Sequence, residues 1–392
     1  PWFCRFWRWF MPSGGQKTKP IMRVLLLTNY KEDKQNSMLR FGNLLLSGLP
    51  NYDIIASEVF PQSKMDRFCK GTKLKKWAGY IDKYFFFKRK IDSLFKSNSY
   101  DLIHIIDHSN SVYLRQLSRL TKAPKVTTCH DLIAIRTAHE EFTLAPQTSY
   151  LGKRLQNWIK KSLNYSDHFV CDSLQTQSDL IKRIPKSKTR SKVIHLGVEK
   201  SNDQNSDHTT TLGDSLLTKN YVLHVGSDAW YKNRKGVLKS FKFHCENKKE
   251  IIDKLVLVGP KIQTHELDSE LDKWIKRNTD RISIIPNVTE YDLQALYQNA
   301  KLLIFPSFIE GFGWPPLEAY ANNCPAVTTK TGAIFEILKD NALYANPNNQ
   351  KELNHLVQTS LLNTHKRRFD ESLPTNDGCA NKYANLYGKI IL

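Results

Sequence analysis

The sequence predicts an α/β protein of two doubly wound, Rossmann-like domains. Three observations carry this. At 392 residues the chain is longer than one hydrophobic core ordinarily serves. Short apolar runs of strand length recur along it, each followed by a stretch of helical periodicity. Near the middle, EKSNDQNSDHTTTLG at 199–213 has no large apolar residue before Leu212, which marks a linker. The expected organisation is an extension outside the fold at 1–21, domains at 22–198 and 214–374, and a closing helical stretch at 375–392.

The first domain opens with RVLLLT at 23–28, a buried-strand pattern, then a polar loop and a helical stretch at 37–49. DLIHII at 101–106 and KVTTC at 125–129 read as parallel strands around a helix near 112–120. A helix at 150–164, a strand at 168–172 and a helix capped by Ser173 and running to 183 follow. VIHLGV at 193–198 closes the domain. Ligands of open α/β sheets lie beyond the carboxyl ends of strands. His130, which follows KVTTC, is therefore a cleft candidate, whereas Asp131 beside it reads as structural.

The second domain restarts the rhythm with strands at 221–226, 254–259, 281–285, 301–305 and 326–329, and helices at 266–277, 290–299 and 316–322. No G-x-G-x-x-G appears, so the dinucleotide fingerprint is absent. Just after the first of these strands, Lys232, Asn233 and Arg234 are placed to meet an anion, Lys232 as a point charge and Arg234 bidentately. The densest run is FPSFIEGFGWPPLEAYANNCPAVTT at 305–329. Pro306 ends a strand, which leaves Glu310 in a loop at its carboxyl end. Gly311 and Gly313 let a ligand approach the backbone, and Pro315 and Pro316 suit a first helical turn. The free N–H groups of that helix face the same place and suit a phosphate. Glu318 lies one turn in.

Lys and Arg number 58 against 38 acids, a formal charge of +20, which attracts nucleic acid, anionic lipid or phosphorylated substrates without choosing among them. Residues 64–96 interleave eleven Lys or Arg with aromatic residues. That pattern reads either as a membrane interface or as the core face of a helix with its lysines outside. The cluster of six basic residues at 182–192 reads as a solvated loop, or as a face toward a membrane or acceptor phosphates. The seven cysteines, without C-x-x-C or paired histidines, indicate neither zinc nor a disulfide framework and fit reduced thiols in the cytoplasm. No apolar run approaches a bilayer span. The aromatic, arginine-rich residues 1–21 precede Met22, which reads as the start of the fold; the alternative for them is an interfacial anchor.

The run Ser307, Glu310, Gly311, Phe312, Gly313, Pro315, Leu317, Glu318 and Ala319 resembles the E-x(7)-E signature of retaining glycosyltransferases of family 4, which have the GT-B fold. VIHLGV is similar to the family's closing segment of the first domain, and 331–347 to the family's tail beyond the signature. The resemblance implies an acceptor-binding first domain and a nucleotide-sugar-binding second domain, with the last helix crossing back to the first. It implies that Glu318 binds the donor ribose, that Glu310 and His130 meet the donor sugar, and that Lys232 and Asn233 match the element holding the pyrophosphate. Gly311, Phe312, Gly313 and Leu317 complete the donor site. Ser227 stands where the family has an arginine, so that either Arg234 substitutes for it or the pyrophosphate is held by fewer charges. Glu336 is implied to brace the site.

The expected function is retaining, metal-independent transfer of a hexose from a nucleotide sugar to a lipid-linked or polysaccharide acceptor in cell-surface glycan synthesis. No cofactor or metal is expected. GDP-mannose is the donor favoured by family frequency, and the location is the cytoplasm, peripheral on the inner face of the membrane. The alternatives are a GT-B epimerase or phosphorylase and, from another class, a basic nucleic-acid-binding protein, although no nucleic-acid partner is expected.

Overall fold

The computed structural model describes residues 21–33, 35–65, 72–198, 212, 220–247, 252–262, 267–362 and 373–392. The expected extension up to residue 20, the linker apart from Leu212, and residues 214–219 lie outside them. Two parallel sheets of six strands dominate. The first contains β1 (Met22–Leu27), β2 (Ile54–Val59), β3 (Leu102–Ile105), β4 (Lys125–Cys129), β5 (His168–Cys171) and β6 (Ser191–Val193), in the order β2-β1-β3-β4-β5-β6. The second contains β7 (Tyr221–Val225), β8 (Lys254–Val258), β9 (Ile282–Ile285), β10 (Leu302–Ile304), β11 (Ala326–Thr328) and β12 (Leu343–Tyr344), in the order β12-β11-β10-β7-β8-β9.

Both orders run outward in two directions from the first strand of the sheet. Each sheet therefore has a switch point, between β1 and β3 in one and between β7 and β10 in the other, where neighbouring crossovers diverge and leave a crevice. The central strands β3 and β4 are buried along their whole length, as parallel strands covered on both faces must be. At the edge, β2 is buried only at Ile54 and Val59.

Several elements go beyond the sequence reading. They are β2, β12, and the helices Ile133–Ala138, Arg234–Asn247 and Gln350–Leu362. The helix expected from 266 begins at Ser269, where the Asp268 carboxylate accepts from Leu271 N at 3.0 Å and fixes the start. The aromatic stretch after residue 72 divides: Phe87 and Ile91 enter the core while Leu74, Ile81 and Phe85 stay exposed. Phe68 and the Trp77 side chain lie outside the described positions.

The last helix, Asn376–Ile391, packs on the first-domain helix Asn36–Gly48. It is pinned there by the Tyr387 hydroxyl, 2.7 Å from His104 Nδ1, and by the Tyr383 hydroxyl, 3.1 Å from Thr128 Oγ1. The two helices touch so closely that a Cβ on Gly48 would lie 2.6 Å from Ala380 Cβ. Gly48→Val should therefore cost about 1–3 kcal/mol and lower the thermal midpoint. Gly388→Ala, in the same last helix with nothing within 4 Å of an added Cβ, should leave the midpoint unchanged or raise it slightly.

Candidate active site

The crevice between β7 and β10 holds the first half of the site. Chain leaving β10 turns at Pro306 and carries Glu310 back toward the end of β7, where the turn Trp230–Lys232 presents Lys232. Lys232 Nζ donates to both carboxylate oxygens of Glu310, at 2.8 and 2.9 Å. Glu310 is only 7% exposed, and its N–H donates to Thr331 Oγ1 at 3.0 Å, which fixes the loop. The helix Trp314–Ala321 starts immediately beyond. Gly313 caps it at φ 89°, a left-handed conformation that favours glycine, and a Cβ there would sit 2.3 Å from Ile334 Cγ1. Pro315 and Pro316 occupy its first turn, where a missing N–H costs nothing.

Glu318 forms the second half. It is 9% exposed and accepts from the Tyr297 hydroxyl at 2.9 Å on one oxygen. Arg40 Nη1, from the first domain, donates to the other. The Arg40 guanidinium also lies 3.8 Å over the Trp314 ring, a cation–π contact.

His130 sits at the end of β4 as expected, but its ring faces inward. Nδ1 is 2.6 Å from Asp172 Oδ2, and Nε2 donates to the Ile106 carbonyl at 2.8 Å. Phe41 packs edge-on against the ring at 4.9 Å. Both nitrogens are thus engaged with protein, and no nitrogen is left over for a sugar hydroxyl in this arrangement. Burial opposes the charged ring, but the Asp172 carboxylate outweighs it and raises the imidazole to about 9, so the group is an imidazolium in an ion pair. Asp131 is structural: its carboxylate accepts from Ile133 N at 2.8 Å and starts the helix Ile133–Ala138.

The backbone of His130 does reach the second domain. A Cβ on Gly311 would lie 1.9 Å from the His130 carbonyl oxygen, so the two domains meet there with no room for a side chain. Glu336 braces the same seam. It accepts from Leu174 N at 2.9 Å and lies 2.9 Å from His195 Nε2, which caps a first-domain helix with a second-domain carboxylate. Gln175 Oε1 accepts from Gly332 N at 2.7 Å in the opposite sense.

The remaining sequence candidates divide. Asn233 spends its amide on structure, donating to the Pro306 and Pro347 carbonyls and accepting from Gly236 N at 3.1 Å. Phe312 and Leu317 are buried in the core and position the loop and helix from behind. Arg234 does not stand beside Glu310. Its Nη1 donates to the Pro260 carbonyl at 2.8 Å and to Asp228 at 3.3 Å, while Nε and Nη2, also buried, have no partner. Sequence reasoning missed Arg40, Tyr297 and Gln175. Arg40 did carry a signal, being the sole charged residue of NSMLRFGNLLLSG. Among the described residues, no group of three or more His, Cys, Asp or Glu could hold a metal ion.

The His130–Asp172 pair makes stability depend on pH. The unfolded imidazole titrates near 6.5 and the folded one near 9, so the contribution is complete below about pH 6.5 and fades as pH rises toward 9. The wild-type protein should lose roughly 3 kcal/mol over that window in denaturant titrations. His130→Asn should be less stable at pH 6 and should lack that alkaline loss.

Comparison with known proteins accounts for both halves of the chain. The Glycosyl transferases group 1 family matches residues 214–372, and Glycosyltransferase Family 4 matches residues 68–202. The O-antigen chain mannosyltransferase RfbU of Salmonella typhimurium is 25% identical over 279 residues, 66% of this chain and 72% of its own. The O-antigen chain mannosyltransferase B of Escherichia coli is 29% identical over 147 residues, 37% of this chain and 38% of its own. Among solved structures, sucrose-phosphate synthase from Thermosynechococcus elongatus superposes with a TM-score of 0.71 at 14% identity, covering 94% of this chain and 99% of that one. HepE of Anabaena, solved with UDP and glucose, gives 0.63 at 18% identity, covering 93% and 95%. At such identities these structures establish the GT-B fold alone. The two family matches identify the sequence more closely: this chain belongs to the group 1 glycosyl transferases, with a first domain of the family 4 type.

Proposed function

We propose that the protein transfers a hexose, with retention of anomeric configuration and without a metal, from a nucleotide sugar to a lipid-linked or polysaccharide acceptor during cell-surface glycan synthesis. GDP-mannose is the donor this reading favours, because the curated relatives above are named as mannosyltransferases. The observation that carries the proposal is the pair of buried carboxylates, Glu310 and Glu318, each held by a cation at the mouth of the β7/β10 switch point.

The chemistry follows from exchanging those partners. The departing group is a nucleoside diphosphate, and its growing negative charge needs fixed positive partners in a dry site. Lys232 can turn from Glu310 to a phosphate oxygen, helped by the positive end of the helix dipole beyond Gly313. The two unpartnered nitrogens of Arg234 support a part for it in the same task. Glu310, released from Lys232, accepts hydrogen bonds from sugar hydroxyls. Glu318 accepts from both ribose hydroxyls once Arg40 yields. As the bond from the anomeric carbon to the phosphate oxygen breaks, the acceptor oxygen attacks from the same face and its proton passes to the departing phosphate. That route needs no carboxylate nucleophile, in contrast to retaining glycosidases.

The location we propose is the cytoplasmic face of the membrane, with the protein bound peripherally. Leu74, Ile81 and Phe85 are exposed on the helical stretch that also carries Lys75 and Arg89, which supports an interfacial contact. No helix among the described residues is long and apolar enough to cross a membrane. Family membership leaves the nucleic-acid-binding alternative without an observation of its own.

A thermal-shift panel of GDP, UDP and ADP with their common sugar conjugates tests the donor assignment. The cognate nucleotide at about 100 times its dissociation constant should add roughly 2.7 kcal/mol of stability. That shift should vanish in Glu318→Ala, and a protein that responds to none of the nucleotides would overturn the reading. NMR of the product should show the donor's own anomeric configuration; an inverted product would exclude the same-face route.

A further inference from the structure

The carboxyl ends of β1 and β2 open into a groove of about 580 Å³, walled by residues 30–32 on one side and 60–64 on the other. Three ammonium groups lie on aromatic surface at or beside it, Lys31 and Lys64 in its walls and Lys90 behind Phe60. Lys31 Nζ lies 4.1 Å and Lys90 Nζ 5.6 Å from the centre of the Phe60 ring, and Lys64 Nζ lies 5.3 Å from that of Phe86. Glu58 is 3.8 Å from Lys31 and already accepts from the Thr28 hydroxyl at 2.7 Å; Glu32 lines the same wall. Among the described residues, neither Lys64 nor Lys90 forms an ion pair with a carboxylate. Burial, and then the Lys64 charge, push the Lys90 ammonium below its usual range.

The groove is built rather than incidental. Asp82, fully buried, accepts from Lys64 N at 3.1 Å, Met65 N at 3.0 Å and the Tyr30 hydroxyl at 3.2 Å, locking both walls to one carboxylate. Lys64 and Lys90, close together without an ion pair of their own, repel each other beyond what the nearby Glu58 offsets, and an anion between them removes that cost. The position also fits the chemistry. β2 and β1 lie three and two strands from β4, whose end meets the donor side, so the groove is roughly 10–15 Å along the same sheet edge.

We propose that this groove binds the phosphate or diphosphate group of the acceptor, which then lies along the carboxyl edge of the first sheet with its hydroxyl at the cleft. The inference rests on the reading of the protein as a hexosyltransferase with a lipid-linked acceptor. A membrane phospholipid headgroup offers the same chemistry, and the experiment separates the two sources.

The probe is inorganic pyrophosphate, titrated calorimetrically into full-length protein carrying Lys232→Ala, which removes the expected contribution of the donor side. That protein should still bind pyrophosphate. Adding Lys64→Gln and Lys90→Gln should weaken binding about tenfold for each lysine, and Lys64→Arg with Lys90→Arg should restore it. Farnesyl diphosphate should follow the same pattern. Unchanged pyrophosphate affinity in the glutamine variants overturns the proposal. So does a loss confined to co-sedimentation with vesicles of equal phosphatidylglycerol and phosphatidylcholine, which would make the groove a membrane patch. The nucleotide-induced thermal shift, measured on Lys64→Gln/Lys90→Gln with Lys232 intact, keeps the two readings apart. Its presence beside unchanged pyrophosphate binding sinks the groove alone, and its absence in every variant and in the wild type sinks the transferase reading.

Discussion

Two carboxylates buried in one cleft must each be met by a cation, since an uncompensated charge taken out of water costs several kcal/mol. Here the cations come from different domains. Lys232 reaches Glu310 from within the second domain, whereas Arg40 crosses from the first to Glu318. The first pair is a local matter of the β7/β10 crevice. The second ties the arrangement of the two domains to the charge of a residue expected to hold the donor. On the proposed reading, a donor that takes Glu318 from Arg40 changes both the site and one of the contacts across the seam, which would couple binding to domain position by exchange of partners rather than by a distant signal.

Some of the contacts across the seam are of a kind that fixes geometry. The Gly311 backbone lies against the His130 carbonyl, Glu336 caps a helix of the other domain, and Gln175 takes the N–H of Gly332. Most of these groups are backbone, so substitution elsewhere on the surface leaves them in place. His130 belongs to this framework. Charged, paired with Asp172 and bonded to the Ile106 carbonyl, its ring locks the end of β4 to that of β3, which sets where the His130 carbonyl meets Gly311. The contribution of His130 in this arrangement is thus through its main chain, with the ring as the anchor.

Legibility in the sequence followed burial. Strands covered on both faces, such as KVTTC at β4, are continuous apolar or β-branched runs and were placed to within a residue. The edge strand β2, IIASEV, has one face in solvent and two polar residues, and it gave no such run. The helix Arg234–Asn247 begins with two cations and a glycine, without an acid in its first turn, so its start was hidden; its cap is Asn233, a residue the motif reading had reserved for ligand. The signature from Glu310 to Glu318 was readable because the turn and the helix start demand particular residues in order. Their partners were not. Arg40 and Tyr297 meet Glu318 only because the chain folds, and residues 278 and 21 positions away leave no local pattern.

The distribution of cations says more than their excess. A charge of +20 describes a long-range field that attracts any polyanion. Much of it is spent locally: Arg136 and Arg183 bind Glu141 and Asp179, Lys242 binds Glu270, and Lys83 binds Asp33. Such pairs leave little local field and little specificity. What discriminates is a cation fixed by packing without a carboxylate of its own, because only an incoming anion completes it. Lys90 over Phe60 is in that condition at the edge of the first sheet, with the more exposed Lys64 over Phe86 beside it, and Arg234, with two buried nitrogens unbonded, is close to it in the second. The net charge draws anions to the protein, and these few incomplete sites select the orientation in which an anion can stay.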